Sequence, residues 1–237
     1  MLTKLAVIPA RGGSTRLKGK NIYPLNGKPL ICYTIEAVIG SGCFDTIMVS
    51  TDNDKIADVA SGFKGVVVYR REQKYSTVEV TVLEALLAMM DHIPRHDVFA
   101  YFLPTCPFRN SDDIKRGVKM LTEGINSVVS VVEYSEPIQL ALIKKGNDIV
   151  PVFDNLIVGF TNSKYVQKYY KPNGAFYMSW WGNLVKTKSF FVGNVKGYVM
   201  PKERSHDIDN VFDMFVAERI IEYELLARST VSVEYLI

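Results

Sequence analysis

Short apolar runs alternate along the chain with segments in which apolar residues recur at helical spacing. The first run, Leu5 to Ile8, is continuous, as is typical of a strand buried on both faces of a sheet. From Leu30 to Ile39 the apolar positions recur every three or four residues, which predicts an amphipathic helix. The same patterns predict further strands at 46–50, 66–69, 98–103, 128–132, 174–178 and 195–200. Further helices are predicted at 54–60, 78–92, 112–121 and 211–228.

The alternation predicts an α/β fold with a doubly wound, mostly parallel, Rossmann-like sheet in one domain over residues 1–237. In such sheets, ligands bind outside the carboxyl ends of the strands, where the strand order reverses. The rhythm breaks from about 134 to 172, where strand signals at 149–153 and 156–160 are short and isolated. We interpret this stretch as an inserted arm that makes a dimer contact; an ordinary surface hairpin is the alternative.

Composition and charge narrow the classes of partner. The 237 residues include 28 Lys and Arg against 25 Asp and Glu, a net charge of +3, which predicts neither a nucleic-acid partner nor a membrane partner. The first apolar run stops at Pro9, too soon for a signal peptide or a membrane span. Cys32, Cys43 and Cys106 are odd in number and widely separated, so we expect neither disulfides nor a zinc site, and a cytoplasmic location.

A glycine-rich basic loop follows the first strand and reads Pro-Ala-Arg-Gly-Gly-Ser-Thr-Arg-Leu-Lys-Gly-Lys-Asn over residues 9–21. Gly12 and Gly13 permit positive φ angles, with which successive N–H groups converge on an anion. Four cations surround them: Arg11, Arg16, Lys18 and Lys20. Each cation close to a phosphate contributes about 4 kcal/mol near a protein surface before desolvation. The loop therefore suits a triphosphate, although it matches neither the P-loop nor the dinucleotide pattern; a solvated surface turn is the alternative.

An acidic pair, Asp207 and Asp209, precedes the last predicted helix. On a strand this spacing places both side chains on one face, with Cα atoms about 6.6 Å apart. Mg²⁺ (or Mn²⁺) characteristically takes one or two carboxylates together with phosphates and water. The alternative is that both face solvent and Asp209 helps to cap the helix. We interpret Asn210 as the N-cap and Asp213 as a capping residue rather than a metal ligand.

The run Ile-Pro-Ala-Arg-Gly-Gly-Ser, followed by Gly-Lys-Asn-Ile, resembles the signature loop of the acylneuraminate cytidylyltransferases, which include the CMP-sialic acid synthetases. Four further segments resemble that family in the same order: Val49–Asp52, Pro104–Arg109, Asn173–Tyr177 and Asp207–Asp209. The resemblance implies a nucleotidyltransferase that moves CMP from CTP to the anomeric hydroxyl of an acidic keto-sugar of the nonulosonic, sialic-acid-like class. It also implies release of pyrophosphate and a homodimer.

The resemblance also implies roles for individual residues. The expected nucleotide-binding residues are Ala10, Arg11, Gly12, Gly13, Ser14, Lys20, Asn21, Arg70 and Thr77. The expected catalytic residues are Arg11, Lys20, Asp207 and Asp209, and the two aspartates would also hold the Mg²⁺ or Mn²⁺. The expected sugar-binding residues are Leu103, Thr105, Arg109 and Asn173. His206 adjoins the acidic pair and is either a base or an incidental surface residue.

Two positions depart from the family pattern, since Leu103 stands where the family usually has Gln and Cys106 where it has Ser. A Gln donates and accepts hydrogen bonds with the sugar, and Leu does neither. We therefore expect a substrate other than N-acetylneuraminate, of the pseudaminate or legionaminate type. Two other functions remain open: a glycosyltransferase that consumes a nucleotide sugar at an Asp-x-Asp metal site, and a non-catalytic nucleotide-binding module.

Overall fold

Seven strands form one sheet at the centre of the computed structural model, which describes residues 2–159 and 167–234, with side chains as far as residue 224. These seven strands are β1 (Lys4–Pro9), β4 (Thr46–Thr51), β5 (Val66–Arg70), β6 (Val98–Tyr101), β7 (Ser127–Glu133), β10 (Tyr170–Trp180) and β11 (Val195–Val199). Two separate strand pairs are β2 (Pro24–Leu25) with β3 (Lys28–Pro29), and β8 (Leu142–Lys145) with β9 (Asp148–Pro151). The helices are α1 (Leu30–Ser41), α2 (Asp54–Ser61), α3 (Val82–Met90), α4 (Ser111–Met120), α5 (Trp181–Thr187) and α6 (Val211–Glu234).

The order across the sheet is β11-β7-β10-β6-β1-β4-β5, and all neighbours are parallel except β10, which runs antiparallel to both β6 and β7. Strand β1 shows why its apolar run is continuous. Ala6 and Ile8 join the cluster beneath α1, α2 and α4, whereas Leu5 and Val7 join the cluster beneath α3 and α5. The predicted α/β class and mostly parallel sheet are confirmed.

Two of the boundaries that were wrong lie beside the cleft described below. The helix predicted at 78–92 begins at Val82, because Thr81 and Glu84 form a reciprocal capping box that ends the preceding loop. The strand predicted at 98–103 ends at Tyr101, and the backbone N–H of Leu103 instead donates to Gly174 across the start of β10. The segments 78–81 and 102–105 are thereby left as loops.

The strand order reverses between β1 and β6: the chain passes from β1 through α1 to β4 on one side, and β6 is added on the other side. The carboxyl ends of these two strands therefore open a crevice between them, as sheets of this kind require. Strand β10 is antiparallel, so its beginning, near Asn173, lies at the same edge.

In its described residues, the arm predicted at about 134–172 contains a separate hairpin, β8 paired with β9. The predicted strand at 149–153 corresponds to Asp148–Pro151, whereas residues 156–159 form a turn rather than a strand. Phe160 lies outside the described residues. Over the described ranges, no helix combines the length and the apolar character needed to cross a bilayer.

Candidate active site

The loop after β1 is fixed at its start by the end of β4. The backbone N–H of Gly12 donates to Asp52 Oδ1 at 2.8 Å, so it does not point freely into the cleft. Neither Gly12 nor Gly13 has a positive φ, which corrects the expected reason for the glycine pair. A Cβ on Gly12 would lie 2.8 Å from Asn53 Cβ, so the close approach of the two loops is what requires glycine here.

The later part of the loop packs back against its beginning. Asn21 is buried, and its side-chain amide donates to the Arg11 carbonyl at 2.9 Å. Arg11 in turn donates from its guanidinium to the carbonyl of Thr77 at 2.7 Å. Gly19 supplies the one left-handed turn in this stretch, with φ of 67°. These bonds bring Arg11, Asn21 and Thr77 together.

The acidic segment (residues 200–210) meets this loop directly. Lys20 Nζ lies 2.8 Å from Asp209 Oδ1, and Arg16 lies 2.8 Å from Asp209 Oδ2. Lys20 and Asp209 are 189 positions apart in sequence. The basic loop near the amino end and the acidic pair near the carboxyl end therefore form one site, which is the arrangement that the predicted chemistry requires.

Asp207 and Asp209 do not lie on a strand, which corrects the geometry assumed from their spacing. The acidic segment is irregular beyond one 3-10 turn at Lys202–Arg204, and it is held by the Ile208 N–H, which donates to the Thr105 carbonyl at 2.8 Å. Ile208 is fully buried between the two aspartates. Asp207 and Asp209 thus face the same cleft because a buried apolar residue anchors the chain between them.

The two carboxyls differ in electrostatic environment. Asp207 is open to the cleft, yet the protein atoms packed around its carboxyl displace water and raise its pKa. The negative charge of Asp209 raises this pKa further, whereas a hydrogen bond with Thr105 lowers it. Burial alone would also raise the pKa of Asp209, but the hydrogen bond and charge of Lys20, with those of Arg16, lower it. Asp209 therefore carries the more firmly fixed negative charge.

Capping at the start of α6 occurs as predicted. The Asn210 side chain accepts from the N–H groups of Phe212 and Asp213, and the Asp213 side chain accepts from those of Asp209 and Asn210. His206 Nε2 lies 2.8 Å from the Asp213 carbonyl. The capping residue thus also fixes the orientation of the backbone at Asp209.

The cleft has two adjoining compartments. The first compartment, of about 450 Å³, is lined by the basic loop, the 75–82 loop and the segment after β6; its charged residues are Arg11, Arg16, Lys20, Arg71, Asp207 and Asp209. The second compartment, of about 560 Å³, lies at the beginning of β10; its charged residues and histidine are Glu133, Lys171, Lys202, His206, Asp207 and Asp213. Leu103 and Asp207 line both, so they stand where the two meet.

The structure separates the expected sugar-binding residues. Leu103 and Thr105 line the first compartment, and Leu103 and Asn173 line the second. Arg109 lines neither. It is buried, and its guanidinium donates to the Leu103 carbonyl and to the Thr34 hydroxyl, so it supports the loop from behind. The expected sugar contact of Arg109 is therefore corrected to a structural role.

The expected nucleotide contacts need two further corrections. Arg70 points away from the first compartment and pairs with Asp54 at 2.8 Å on the surface. Its neighbour Arg71 lines the compartment instead, with its guanidinium bonded to the Ser50 carbonyl at 2.9 Å. Ala10 is fully buried under the loop and, like Gly12 and Gly13, does not line the compartment, whereas Ser14 does.

Sequence reasoning missed three features. Arg71 was overlooked although alternation along β5 places one arginine of the pair inward. Residues 78–81 were assigned to a helix because the Thr81–Glu84 capping box was not recognised, and Tyr75 before them was given no role. The lysines of the second compartment, Lys171 and Lys202, have no local pattern that distinguishes them from surface residues.

The donor set fits a hard divalent cation that shares its ligands with a substrate. Within the ranges that the structure describes, no group of three or more His, Cys, Asp or Glu side chains gathers as a metal site. Asp207 and Asp209 supply two carboxylates to the compartment that also holds Arg11 and Lys20. Two carboxylates completed by phosphates and water is the usual coordination of Mg²⁺.

Comparison with known proteins agrees with this geometry. The sequence model of one family, described as Cytidylyltransferase, matches residues 5–148. The chain belongs to the cytidylyltransferase family. Among curated relatives, it is 34% identical to a CMP-N,N'-diacetyllegionaminic acid synthase of Legionella pneumophila, over 92% of this chain and 96% of that protein. The family assignment makes the chain a nucleotidyltransferase.

Two other relatives carry different sugar names. An N-acylneuraminate cytidylyltransferase of Escherichia coli is 33% identical over 92% of this chain, which spans 52% of that longer protein. A pseudaminic acid cytidylyltransferase of Campylobacter jejuni is 29% identical over 92% of this chain and 95% of that one. This cytidylyltransferase is thus comparably similar to proteins named for three different sugars.

Solved structures support the fold of the cytidylyltransferase. A CMP:2-keto-3-deoxy-manno-octonic acid synthetase complexed with CTP superposes with a TM-score of 0.66, at 15% identity, over 94% of this chain and 99% of that one. A 4-diphosphocytidyl-2C-methyl-D-erythritol synthase from Anaerococcus prevotii superposes with a TM-score of 0.70, at 14% identity, over 93% and 96%. At these identities the likeness establishes the fold alone.

Proposed function

We propose that this cytidylyltransferase transfers CMP from CTP to the anomeric hydroxyl of a nonulosonic, sialic-acid-like keto-acid sugar and releases pyrophosphate. One observation carries the proposal: Lys20 of the amino-terminal loop and Asp209 of the acidic segment lie 2.8 Å apart in one cleft. Triphosphate binding and metal-assisted charge neutralisation require cations and carboxylates at the same place. Family membership supplies the reaction class.

The first compartment takes the nucleotide. Arg11, Lys20, Ser14 and Asn21 line it together, and its cations oppose the roughly four negative charges of a triphosphate. Arg71 is held by Ser50 rather than by a carboxylate, so its charge remains available to the compartment. Its burial lowers its pKa, with partial compensation from Asp52, and an anionic ligand would favour its protonated form.

Asp207 and Asp209 are the residues that would hold the Mg²⁺ or Mn²⁺. When bound, such a cation neutralises part of the charge that develops on the phosphates. Asp209 is paired with Lys20 and Arg16, the cations that a triphosphate also requires. Phosphate oxygens that attract Lys20 and Arg16 release Asp209, so nucleotide and metal binding favour one another.

The transfer needs positioning more than a covalent protein group. The oxygen of the anomeric hydroxyl attacks the α-phosphorus of CTP, the bond to the pyrophosphate oxygen breaks, and the hydroxyl proton passes to solvent or to a neighbouring base. Lys20 and Arg11 hold the departing pyrophosphate. Asp207 stands where the two compartments meet, at the place the two reactants would share.

The second compartment takes the sugar. Asn173 fixes one wall through the bond of its amide to Ser205 at 2.9 Å, and Lys171 and Lys202 supply positive charge for a sugar carboxylate. Leu103 presents an apolar side chain where the family pattern has an amide. The proposed preference is therefore for a legionaminate- or pseudaminate-type sugar over N-acetylneuraminate.

The decisive experiment measures pyrophosphate release from CTP with N-acetylneuraminate, N,N'-diacetyllegionaminate and pseudaminate in parallel, with Mg²⁺, with Mn²⁺ and with chelator. Turnover with at least one sugar, abolished by chelator, is expected. Consumption of a CMP-sugar without pyrophosphate release would instead indicate a glycosyltransferase. Nucleotide binding without turnover on any sugar would indicate a binding module. Fastest turnover on N-acetylneuraminate would refute the preference argued from Leu103.

We also propose a homodimer formed through the arm. The β8–β9 hairpin exposes Leu142, Ile143, Ile149 and Val150, each between 38% and 63% accessible. A two-stranded hairpin outside a larger sheet is marginally stable alone, and exposed apolar residues in a cluster mark an interface.

The three cysteines are unpaired, which supports a cytoplasmic location as part of the proposal.

The dimer is tested by sedimentation of the Ile143→Lys/Ile149→Lys variant. Dissociation to monomer is expected, because lysines cannot be buried unpaired in an apolar interface. Val67→Lys is the matched control, since Val67 is similarly exposed, at 50%, on the edge strand β5. A wild-type protein that sediments as a monomer at micromolar concentration would contradict the proposal.

A further inference from the structure

The acidic segment must place two carboxylates accurately without regular structure of its own. Its 3-10 turn ends at Arg204, three residues before Asp207, and the rest of the segment is irregular up to α6. Metal ligands carried by a loop depend on outside contacts for their position. The contacts of this segment with the rest of the molecule therefore decide how well Asp207 and Asp209 are presented.

One of those contacts is an ion pair between a buried carboxylate and a partly exposed guanidinium. Both terminal nitrogens of Arg204 donate to the two carboxyl oxygens of Asp113, with Nη2 at 3.0 Å from Oδ1 and Nη1 bonded to Oδ2. Asp113 is 2% exposed, and it also accepts from the Tyr198 hydroxyl at 2.9 Å and from the Asn110 N–H at 2.9 Å. Four donors therefore fix this carboxylate on α4.

The anchor on α4 is rigid, and the connection to the site is short. Asn110 and Asp113 form the capping box of α4. Ile114, which follows Asp113, is fully buried in the cluster beneath α1, α2 and α4. On the other side, the Cys106 thiol lies 3.9 Å from the Arg204 carbonyl, so the turn is also held against the segment after β6. Arg204 thus connects the backbone that leads to Asp207 to the core of the sheet.

We propose that Arg204 is a positioning residue, which sets the place of Asp207 and Asp209 by fixing the turn to Asp113. It touches neither reactant: Arg204 and Asp113 line neither compartment of the cleft. The bidentate geometry matters, because a guanidinium fork fixes direction as well as distance and an ammonium does not. The inference rests on the metal role of the two aspartates in the proposed function.

The test measures Mn²⁺ binding by electron paramagnetic resonance in the presence of CTP and the absence of sugar, together with thermal unfolding. Arg204→Gln is expected to raise the Mn²⁺ concentration at half-saturation about tenfold or more, the usual effect of losing a supporting group. Arg204→Lys is expected to recover part of that loss. Lys115→Gln is the control, because Lys115 pairs with Asp112 on the surface of α4, the helix that carries Asp113.

The double variant Arg204→Gln/Asp113→Asn separates positioning from stability. It removes the unpaired buried charge, so its thermal unfolding should return towards that of the wild type while its Mn²⁺ binding stays weak. Wild-type Mn²⁺ binding in the double variant, or in Arg204→Gln, would overturn the inference. Failure of the proposed function would give a different result, because the wild-type protein would then release no pyrophosphate with any of the sugars.

Discussion

The two compartments of the cleft are built in different ways. The first compartment is assembled from loops that follow β1, β5 and β6. Hydrogen bonds fix its wall, from Arg11 to Thr77 between two of those loops and from Gly12 to Asp52 at the end of β4. The second compartment is formed at the beginning of an antiparallel strand, at Asn173, beside the arm and the acidic segment. The position of the first compartment follows from the rule that ligands bind at the carboxyl ends of parallel strands, whereas the position of the second compartment does not.

This difference matches the division of labour in the proposed reaction. In the proposed function, the nucleotide common to the family binds the first compartment, whose loops extend from the carboxyl ends of the parallel strands. The sugar, which differs between relatives named for legionaminic, neuraminic and pseudaminic acids, binds the second compartment, which is lined by β7, β10, the acidic segment and α6. Changes in the second compartment should therefore alter substrate preference and leave nucleotide binding unchanged.

The largest expected effect concerns Asp113, which supports the segment shared by both compartments. Asp113→Asn leaves Arg204 without its partner and should lower the free energy of unfolding by about 3 kcal/mol near pH 7, the low end for a broken ion pair because a quarter of the Arg204 side chain is exposed. Burial alone would raise the pKa of Asp113, but the hydrogen bonds from Arg204, Asn110 and Tyr198 lower it.

A carboxyl with a lowered pKa stabilises the fold above its unfolded pKa of about 3.9, and this contribution is lost as the pH falls through its folded pKa. Urea unfolding at several pH values should therefore show the wild type and Asp113→Asn converging below pH 4. Asp112→Asn, at the exposed neighbour, should follow the wild type throughout. Parallel curves for wild type and Asp113→Asn would show that this carboxylate is not ionised in the native protein.

The next effect isolates the first compartment. Lys20→Gln should lower the rate of pyrophosphate release about 10²–10³-fold, the usual cost of one preorganised donor to a developing charge. The KM for the sugar should change little, because Lys20 does not line the second compartment. Lys18→Gln is the control from the same loop, since Lys18 faces away from the cleft. Equal losses in both variants would mean that the loop acts only through its net charge.

A smaller effect is expected where the compartments meet. Leu103→Gln should raise the turnover of N-acetylneuraminate relative to N,N'-diacetyllegionaminate by about 10–100-fold, because an amide supplies hydrogen bonds that leucine lacks. Competition of the two sugars at fixed CTP measures this ratio directly. An unchanged ratio, with a lower overall rate, would place the sugar away from Leu103.

The smallest effect tests the wall of the first compartment. Gly12→Ala should lower the free energy of unfolding by about 1–3 kcal/mol, because the new Cβ would lie 2.8 Å from Asn53 Cβ. Gly13→Ala is a matched control, since a Cβ there meets nothing within 4 Å. Chemical denaturation of both variants gives the comparison. Equal stabilities would show that the two loops can separate at no cost.

Local pattern was sufficient for most of the fold and for the core of the candidate site. The apolar run at Leu5–Ile8 predicted a strand buried on both faces, and the glycine-rich basic run after it marked the loop that lines the first compartment. Asp207 and Asp209 were recognised by residue type and resemblance, although the geometry assumed for them was wrong. What brings them together is burial of Ile208, which no local pattern reveals.

The remaining errors share a physical cause. Arg70 and Arg71 are adjacent and alike in type, and only the pairing of β5 with β4 determines which one turns inward. Arg109 matches a family segment, yet a buried hydrogen bond to Thr34 in α1 gives it another role. Such side chains depend on contacts between segments distant in sequence, which spacing alone does not encode.

The contact between Lys20 and Asp209 spans 189 positions, and this affects the order in which the molecule acquires its parts during synthesis. At the usual pace of translation, the ribosome needs about 10–40 s to add that length of chain. During this interval the strands that surround the basic loop can already pair, while the carboxylates that offset its charge do not yet exist. A nascent chain would then expose a strongly cationic cavity, open to any polyphosphate nearby, until the acidic segment has been made.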